Sequence, residues 1–246
     1  MTIVAARQLR DQVVCFVGIG LPSVAANLAR LSHAPEIVLI YESGTIGARP
    51  TVLPLSIGDG ELARTAASVV PVPEMFRYWL QGGRIDVGFL GAAQIDRYAN
   101  INTTVIGDYD RPVVRLPGAG GAPEIAAACG EVFVMLEQTP RAFVAELDFI
   151  TSAGHLRGGD TRARAGLHTL GPTVVITDLG VLEPEPHTRE LVATQLYPGV
   201  TFQDMAAHTG WPLRHAAGLH ETPAPTAAEI AVLRDLNRRT ALAHAG

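Results

Sequence analysis

The fold class of this chain follows from the stretch 13-VVCFVGIGLP-22, in which an apolar run meets a glycine turn. Val13–Val17 predicts a strand buried on both faces, because a half-exposed strand would alternate apolar and polar residues. The turn 18-GIGLP-22 then opens a helix-like stretch that runs to about Arg30. This order predicts the strand–turn–helix unit of a parallel α/β sheet.

The same alternation continues along the rest of the chain. Further strand candidates are Ile37–Tyr41, Ile85–Leu90, Val132–Leu136, Val174–Thr177 and Leu191–Tyr197. Helical patterns separate them, and Thr226 with Glu229 predicts a capping box for a final helix that ends near His244. We therefore predict an α/β fold with an open, mostly parallel sheet covered by helices on both faces, in a single domain over residues 1–246.

Composition excludes several classes of function. Charged residues make up 17% of the 246 residues, the net charge is -5, and no basic tract offers a surface for nucleic acid. Apolar runs are all far shorter than a bilayer span, so we expect no membrane insertion. The chain contains no lysine. This absence excludes Schiff-base chemistry, pyridoxal phosphate attachment and a P-loop lysine.

The N-terminal region and the cysteines predict a cytoplasmic protein. Arg7 and Arg10 interrupt the first apolar stretch, so we expect no secretory signal. Cys15 and Cys129 are the only cysteines and are read as reduced, buried thiols. The histidines lack a metal-ligand spacing, so no metal is expected.

Two candidate sites lie where predicted strands end, which is where such sheets bind ligands. Gly18 and Gly20 could let backbone N–H groups approach an anion, although a tight turn explains them equally well. Glu42 follows the second strand and could be a solvated glutamate or a rigidly held nucleophile. Ser43 and Gly44 would leave room for a substrate beside it. Periodicity does not decide between these interpretations.

A third candidate is the glycine-rich stretch 115-RLPGAGGAPEI-125. Gly118, Gly120 and Gly121 precede a predicted helix, where adjacent N–H groups could form an anion nest or an oxyanion hole. A flexible loop is the alternative. The stretch 154-GHLRGGDTRARAGLHTLGP-172 lacks periodicity and is interpreted as a long surface excursion, such as a flap or a contact loop.

Taken together, the motifs resemble one family. They are 18-GIGLP-22, 42-ESG-44, 88-GFLGAAQID-96, 100-NINTTVIGDY-109 and 118-GAGGAPEIA-126, in this order. The chain is similar to beta subunits of class I CoA-transferases, and most of all to the glutaconate-type branch. The resemblance runs from about Val13 to the final helix. It implies a CoA-transferase fold and an alpha subunit as partner, in a heteromer.

The resemblance also implies roles for individual residues. The catalytic glutamate of the family falls on Glu42, and its glycine-rich oxyanion and CoA-binding loop falls on Gly118, Gly120 and Gly121. Some relatives replace the glutamate and act as decarboxylases or hydrolases, whereas this chain keeps it. A carboxylate suits CoA transfer, because it can relay the thioester between two acids through glutamyl anhydride and thioester intermediates. No metal or redox cofactor is implied, since CoA itself is carried as a substrate.

Candidates for the substrate pocket are Gly18, Gly20, Ser43, Gly44, Gln94, Arg49, Arg111 and Arg115. The three arginines lie in loops from which a guanidinium could bind a distal carboxylate in bidentate fashion. For any one of them, a role in surface solubility is the alternative.

The expected activity is transfer of CoA from succinyl-CoA to a 3-oxo acid, with 3-oxoadipate from aromatic-compound breakdown as the favoured acceptor. Glutaconate, or a 3-oxo acid other than 3-oxoadipate, is an alternative acceptor. A CoA-thioester hydrolase or a decarboxylase could use the same fold. A domain that senses a metabolite without catalysis is the alternative from another class.

Overall fold

The computed structural model describes residues 1–245, which group into two compact units. Unit 1 consists of Met1–Phe89 together with the segment from Ala224 onward, and unit 2 is Leu90–Pro223. The predicted single domain over residues 1–246 stays a prediction, because a compact unit need not fold alone.

Unit 1 contains strands close to the predicted Val13–Val17, Ile37–Tyr41 and Ile85–Leu90, together with shorter elements that the apolar pattern does not predict. Its elements are α1 (Thr2–Gln8), β1 (Val14–Val17), α2 (Leu21–Arg30), β2 (Val38–Tyr41), β3 (Thr45–Ile46), α3 (Gly60–Thr65), β4 (Ser68–Val69), α4 (Val72–Glu74) and β5 (Val87–Leu90), of which the last residue, Leu90, is assigned to unit 2. A π-helical stretch, Met75–Leu80, continues α4.

Unit 2 is richer in strands. Its elements are β6 (Gln94–Ile95), β7 (Ile101–Asn102), β8 (Val105–Gly107), β9 (Pro112–Arg115), α5 (Ala122–Ala128), β10 (Glu131–Met135), α6 (Thr161–Arg164), β11 (Pro172–Ile176), β12 (Gly180–Pro184), β13 (Leu191–Leu196), α7 (Phe202–Ala207) and β14 (Arg214–Glu221). The last helix, α8 (Ala227–Ala243), belongs to unit 1.

The strands of unit 1 lie in the order β5-β1-β2-β3-β4. β1 is parallel to both β2 and β5, whereas β3 and β4 pair in antiparallel fashion. Cys15, Phe16, Leu39 and Ile40 are buried in the two central strands. Burial on both faces explains why these strands read as continuous apolar runs.

The strands of unit 2 lie in the order β14-β13-β12-β11-β10. β10 is parallel to β11, and β13 is parallel to β14, with antiparallel pairs between β11, β12 and β13. Two antiparallel hairpins, β6 with β7 and β8 with β9, lie outside this order. The predicted α/β class with a mostly parallel central sheet is confirmed, and antiparallel strands are added to it.

Helix α8 begins with the predicted capping box. The Thr226 side chain accepts from the Glu229 backbone, and the Glu229 carboxylate accepts from the Thr226 backbone. The same carboxylate binds the Arg7 guanidinium at 2.6 and 2.7 Å, which ties α8 to α1 within unit 1. Over residues 1–245, no helix has both the length and the apolarity that a bilayer crossing needs.

The stretch 154–172 is exposed over much of its length, but one of its arginines is buried. Arg162 is only 4% exposed. Its guanidinium donates to carbonyl oxygens of Ala126, Ala153, Gly154 and Thr169 and to the Thr169 hydroxyl. A buried guanidinium is stable only when its donors are satisfied, and here backbone oxygens supply this. Arg162 therefore anchors the stretch in unit 2, while the residues that follow it, 163–166, are exposed.

Candidate active site

The carboxyl ends of β1 and β2 bring two sequence motifs together in unit 1. The two strands are parallel, and Val17 is the register partner of Tyr41. Gly18 and Glu42 are the next residues of their strands, so both leave the sheet at the same edge. The turn that starts at Gly18 leads to Gly20, the N-cap of α2, whose φ of 86° favours glycine.

Glu42 lies in a tight turn whose shape depends on glycine. The Gly44 N–H donates to the Tyr41 carbonyl at 2.9 Å, and the Gly44 carbonyl accepts from Val70 N–H at 2.9 Å. Gly44 has a φ of 98°, and a Cβ added there would overlap the Val70 carbonyl oxygen. The turn therefore requires glycine, and it holds Glu42 one residue beyond the strand.

Two polar side chains of this turn, Glu42 and Ser43, make no side-chain hydrogen bonds within residues 1–245. Glu42 is half-buried, and among residues 1–245 no group donates a hydrogen bond to its carboxylate. The Ser43 hydroxyl is buried and has no hydrogen-bond partner in the described chain. Buried polar groups usually have partners, so an unpaired hydroxyl beside a free carboxylate is typical of a site that binds a ligand.

Two polar residues near this turn, Ser23 and Asn27, are not among the candidates predicted from the sequence. Ser23 and Asn27 are fully buried in α2, and both contact the Tyr41 hydroxyl. Their spacing of four residues puts them on one face of the helix. A polar pair at this spacing in an otherwise apolar helix is the signal that could have revealed them.

Arg49 does not lie near the carboxyl end of β2. Its guanidinium donates to the Pro35 carbonyl at 2.7 Å and lies 3.7 Å from the Glu36 carboxylate. Both partners precede β2, whereas Glu42 follows it. The structure therefore does not bring Arg49 together with Glu42, although both belong to unit 1.

The glycine-rich loop of unit 2 has the backbone shape of an anion site. Gly118 and Gly120 have φ values of 104° and 51°, and Gly121 is the N-cap of α5. The Gly118 N–H donates to the Thr103 carbonyl at 2.8 Å. Within residues 1–245, the N–H groups of Gly120 and Gly121 have no acceptor. Two adjacent free donors can bind an oxyanion.

Gln94 and Arg115, two substrate-pocket candidates in unit 2, make contacts with other residues of the protein. Gln94 is buried, and its amide joins Asn102 at 3.0 Å and the Arg141 carbonyl at 3.4 Å. Arg115 is exposed, donates to the Tyr109 carbonyl at 2.6 Å and lies 4.7 Å from the centre of the Tyr109 ring.

Arg111 is exposed in the turn between β8 and β9. Its backbone N–H donates to the Asp108 carboxylate. An exposed guanidinium at this place is available to solvent.

In the described chain, no group of three or more His, Cys, Asp or Glu side chains is arranged to hold a metal ion.

Burial raises the pKa of Tyr41, with opposing effects from its hydrogen bonds to Ser23 and Asn27. The Tyr41 hydroxyl is therefore neutral and can donate as well as accept.

Comparison with known protein families identifies the class of protein. The sequence matches the Coenzyme A transferase family over residues 1–207. The chain belongs to that family, which confirms the resemblance read from its motifs.

Individual relatives of the chain within this family are subunits of CoA-transferases. The chain is 63% identical to the B subunit of 3-oxoadipate CoA-transferase from Pseudomonas knackmussii, over 99% of this chain and 94% of the relative. It is 34% identical to the B subunit of glutaconate CoA-transferase from Acidaminococcus fermentans, over 94% of this chain and 88% of the relative. The crystal structure of glutaconate coenzyme A-transferase from the same organism aligns with a TM-score of 0.88 and 32% identity, covering 95% of this chain and 91% of that one.

Proposed function

We propose that this chain is the beta subunit of a CoA-transferase that moves CoA from succinyl-CoA to 3-oxoadipate, with Glu42 as the covalent relay. The observation that carries the proposal is the free Glu42 carboxylate, held one residue beyond a buried parallel strand by a glycine-dependent turn. The 63% identity to the corresponding chain of a 3-oxoadipate CoA-transferase supports the choice of acceptor. An alpha-type subunit is the proposed partner, in a heteromer of alpha and beta chains.

The first half of the proposed reaction loads CoA onto the enzyme. A Glu42 carboxylate oxygen attacks the thioester carbonyl of succinyl-CoA, the carbon–sulfur bond breaks, and CoA leaves as a thiolate. The product is a mixed succinyl–glutamyl anhydride. The thiolate then attacks the glutamyl carbonyl, the carbon–oxygen bond breaks and succinate leaves. Glu42 now carries CoA as a thioester, and no oxidant, reductant or net proton is needed.

The second half reverses these steps with the acceptor acid. A carboxylate oxygen of 3-oxoadipate attacks the glutamyl thioester, and CoA thiolate leaves. The thiolate then attacks the acyl carbonyl of the new anhydride, which releases 3-oxoadipyl-CoA and free Glu42. Covalent relay divides one difficult exchange into steps with good leaving groups.

Each attack passes through a tetrahedral intermediate that carries an oxyanion. For unit 2 by itself, we propose that the free N–H groups of Gly120 and Gly121 bind an oxyanion. Loss of one preorganised donor typically lowers the rate by about a hundredfold to a thousandfold. The Ser43 hydroxyl is a further donor that could be satisfied by a bound acyl group. No metal or redox cofactor enters these steps.

The test is chemical trapping of the glutamyl intermediate. The chain, co-expressed with an alpha-type subunit, is incubated with succinyl-CoA and then with borohydride or hydroxylamine, and the modified residue is mapped by mass spectrometry. The expected adduct lies on Glu42 and is absent in Glu42→Gln. The matched control is Glu36→Gln, because Glu36 is an exposed glutamate that precedes the same strand. Full transfer activity in Glu42→Gln would refute the assignment.

Product assays of the same complex distinguish CoA transfer from thioester hydrolysis and from ligand binding without catalysis. With succinyl-CoA and 3-oxoadipate, we expect one 3-oxoadipyl-CoA for each succinate released. Succinate release without an acceptor, and without CoA exchange, would favour a thioester hydrolase. Ligand binding without turnover would favour a sensing domain. A panel of acceptors that includes glutaconate tests the choice of acid.

A further inference from the structure

A buried chain of hydrogen bonds surrounds the residue that precedes Glu42. Asn27 Nδ2 donates to the Tyr41 hydroxyl at 3.2 Å, and that hydroxyl shares a second hydrogen bond of 3.2 Å with Ser23 Oγ. Because the Tyr41 oxygen accepts from Asn27, its own proton is free to be donated to Ser23. We call Ser23, Asn27 and Tyr41 the tyrosine bridge.

The tyrosine bridge is itself anchored on both sides. Asn27 Nδ2 also donates to the Ser23 carbonyl at 2.9 Å, which fixes the amide on α2. Asn27 Oδ1 accepts from Arg30 at 3.2 and 3.3 Å. Arg30 then donates to the Pro50 carbonyl at 2.7 Å, beyond β3. The bridge therefore connects the helix after the first glycine turn with the segment that follows the Glu42 turn.

The tyrosine bridge places polar atoms where an apolar side chain would fit. Ser23, Asn27 and Tyr41 are each at most 1% exposed. A phenylalanine would fill nearly the same space without a polar atom to desolvate. A buried hydrogen bond contributes little net stability, because the unfolded chain makes equivalent hydrogen bonds with water. What the hydroxyl adds is a fixed direction for the ring, since two partners hold it from α2.

Ring direction matters because Tyr41 ends β2 and shares a peptide bond with Glu42. Its backbone is held by the register with Val17 and by the Gly44 N–H, and its side chain is held by the tyrosine bridge. Because the backbone and the side chain of Tyr41 are both held, the backbone at Glu42 has little conformational freedom. Covalent catalysis requires reacting atoms in a narrow range of positions, and small displacements lower the rate strongly.

We propose that Tyr41 is a positioning residue, whose hydroxyl aims Glu42 through the tyrosine bridge. This inference rests on the proposed role of Glu42 as the nucleophile. The hydroxyl does not touch substrate in this assignment. Its effect is on the rate at which Glu42 attacks and not on the affinity for acyl-CoA.

The experiment compares Tyr41→Phe with the wild-type complex. We expect kcat for CoA transfer to fall about tenfold to a hundredfold. The KM for succinyl-CoA should be unchanged, and formation of the trapped Glu42 adduct should slow by the same factor as kcat. The thermal midpoint should fall by a few degrees at most. Ser23→Ala removes the other hydroxyl of the bridge and should give a smaller loss of the same kind, so the test does not depend on one variant.

The matched control is Tyr197→Phe. The Tyr197 hydroxyl is also buried, but it has no hydrogen-bond partner in residues 1–245. Its removal should leave kcat and adduct formation unchanged.

Three results would overturn the role of Tyr41. The first is a wild-type rate of adduct formation in Tyr41→Phe. The second is a loss that follows the folded fraction and is restored by cooling. The third, a wild-type complex that forms no adduct, would overturn the role of Glu42 and the tyrosine bridge together.

Discussion

Val17 and Tyr41 are register partners in two parallel strands, so the glycine turn and Glu42 begin side by side at one edge of the sheet in unit 1. This relationship makes two motifs that are 24 positions apart (Gly18 and Glu42) into one place in the fold. The Tyr41 hydroxyl extends it, because its partner Ser23 lies in the helix that the glycine turn opens. The candidate site therefore depends on backbone geometry that specific substitutions should disturb.

Gly44→Ala should destabilise the Glu42 turn. The added methyl group would overlap the Val70 carbonyl, and a φ of 98° is unfavourable for alanine. We expect the free energy of unfolding to fall by about 3 kcal/mol. Urea titration of the purified variant measures this.

Gly60→Ala is the control for that substitution. Gly60 opens α3, and a Cβ there meets nothing within 4 Å. Alanine in a helix should be neutral or should stabilise by up to about 1 kcal/mol. Equal losses at both positions would contradict the special geometry of Gly44.

Gly120→Ala should lower catalysis through the glycine loop of unit 2. Its φ of 51° is strained for alanine, but a Cβ there meets nothing within 4 Å. The strain costs about 1–2 kcal/mol, which the loop can relieve by turning its N–H groups. We expect kcat for CoA transfer to fall at least about tenfold. Steady-state kinetics of the complex provides the measurement.

Gly159→Ala matches that change outside the proposed site. Gly159 has a φ of 56° and equally open space around its Cα. The backbone strain should therefore be similar, while kcat should remain close to the wild-type value. Parallel losses of kcat in both variants would argue against an oxyanion role for the Gly120 loop.

The ends of β1 and β2 were predictable because a continuous apolar run is typical of a strand that is buried on both faces. β1 and β2 each start one residue later than predicted and end at the predicted residues, Val17 and Tyr41. Glu42 could therefore be placed at a strand end from sequence alone. The two-residue strands β3 and β4 could not be predicted, since so short a strand has no periodicity.

Side-chain directions were less predictable than backbone positions. Arg49 lies in a loop near the Glu42 turn in sequence, yet its guanidinium contacts Pro35 and Glu36. Arg162 stands in a polar, glycine-rich stretch, yet it is buried against backbone carbonyls. A long, charged side chain can bind any oxygen within reach, and local sequence does not specify which one.

Glu229 should make the stability of unit 1 depend on pH in the acidic range. Its hydrogen bonds with Arg7 are the main cause that lowers its pKa from 4.5 to about 2, with further bonds from Thr226. The folded state therefore releases this proton more readily than the unfolded state. The resulting stability is fully present above about pH 4.5 and is lost as pH falls toward 2. In Arg7→Gln, unfolding titrations should show a smaller loss over this window, and an unchanged slope would refute the linkage.

His155 should produce a separate pH dependence at higher pH. It is 2% exposed, its Nε2 binds the Pro172 carbonyl at 2.8 Å, and burial is the main cause that lowers its pKa from 6.5 to about 4. The positive charges of Arg162 and Arg189 act in the same direction. Between these two values the unfolded chain binds the proton and the folded chain does not.

The stability linked to His155 is therefore complete above about pH 6.5 and declines as the pH falls to about 4, by about 3 kcal/mol in all. His155→Gln cannot titrate in this window, so its free energy of unfolding should lose that slope even where its absolute stability is lower. Urea unfolding of both proteins at several pH values, with an NMR titration of the His155 ring, measures the difference. A ring that becomes protonated in the folded protein near pH 6.5 would contradict the neutral, buried imidazole, since burial would then impose no penalty on its charge.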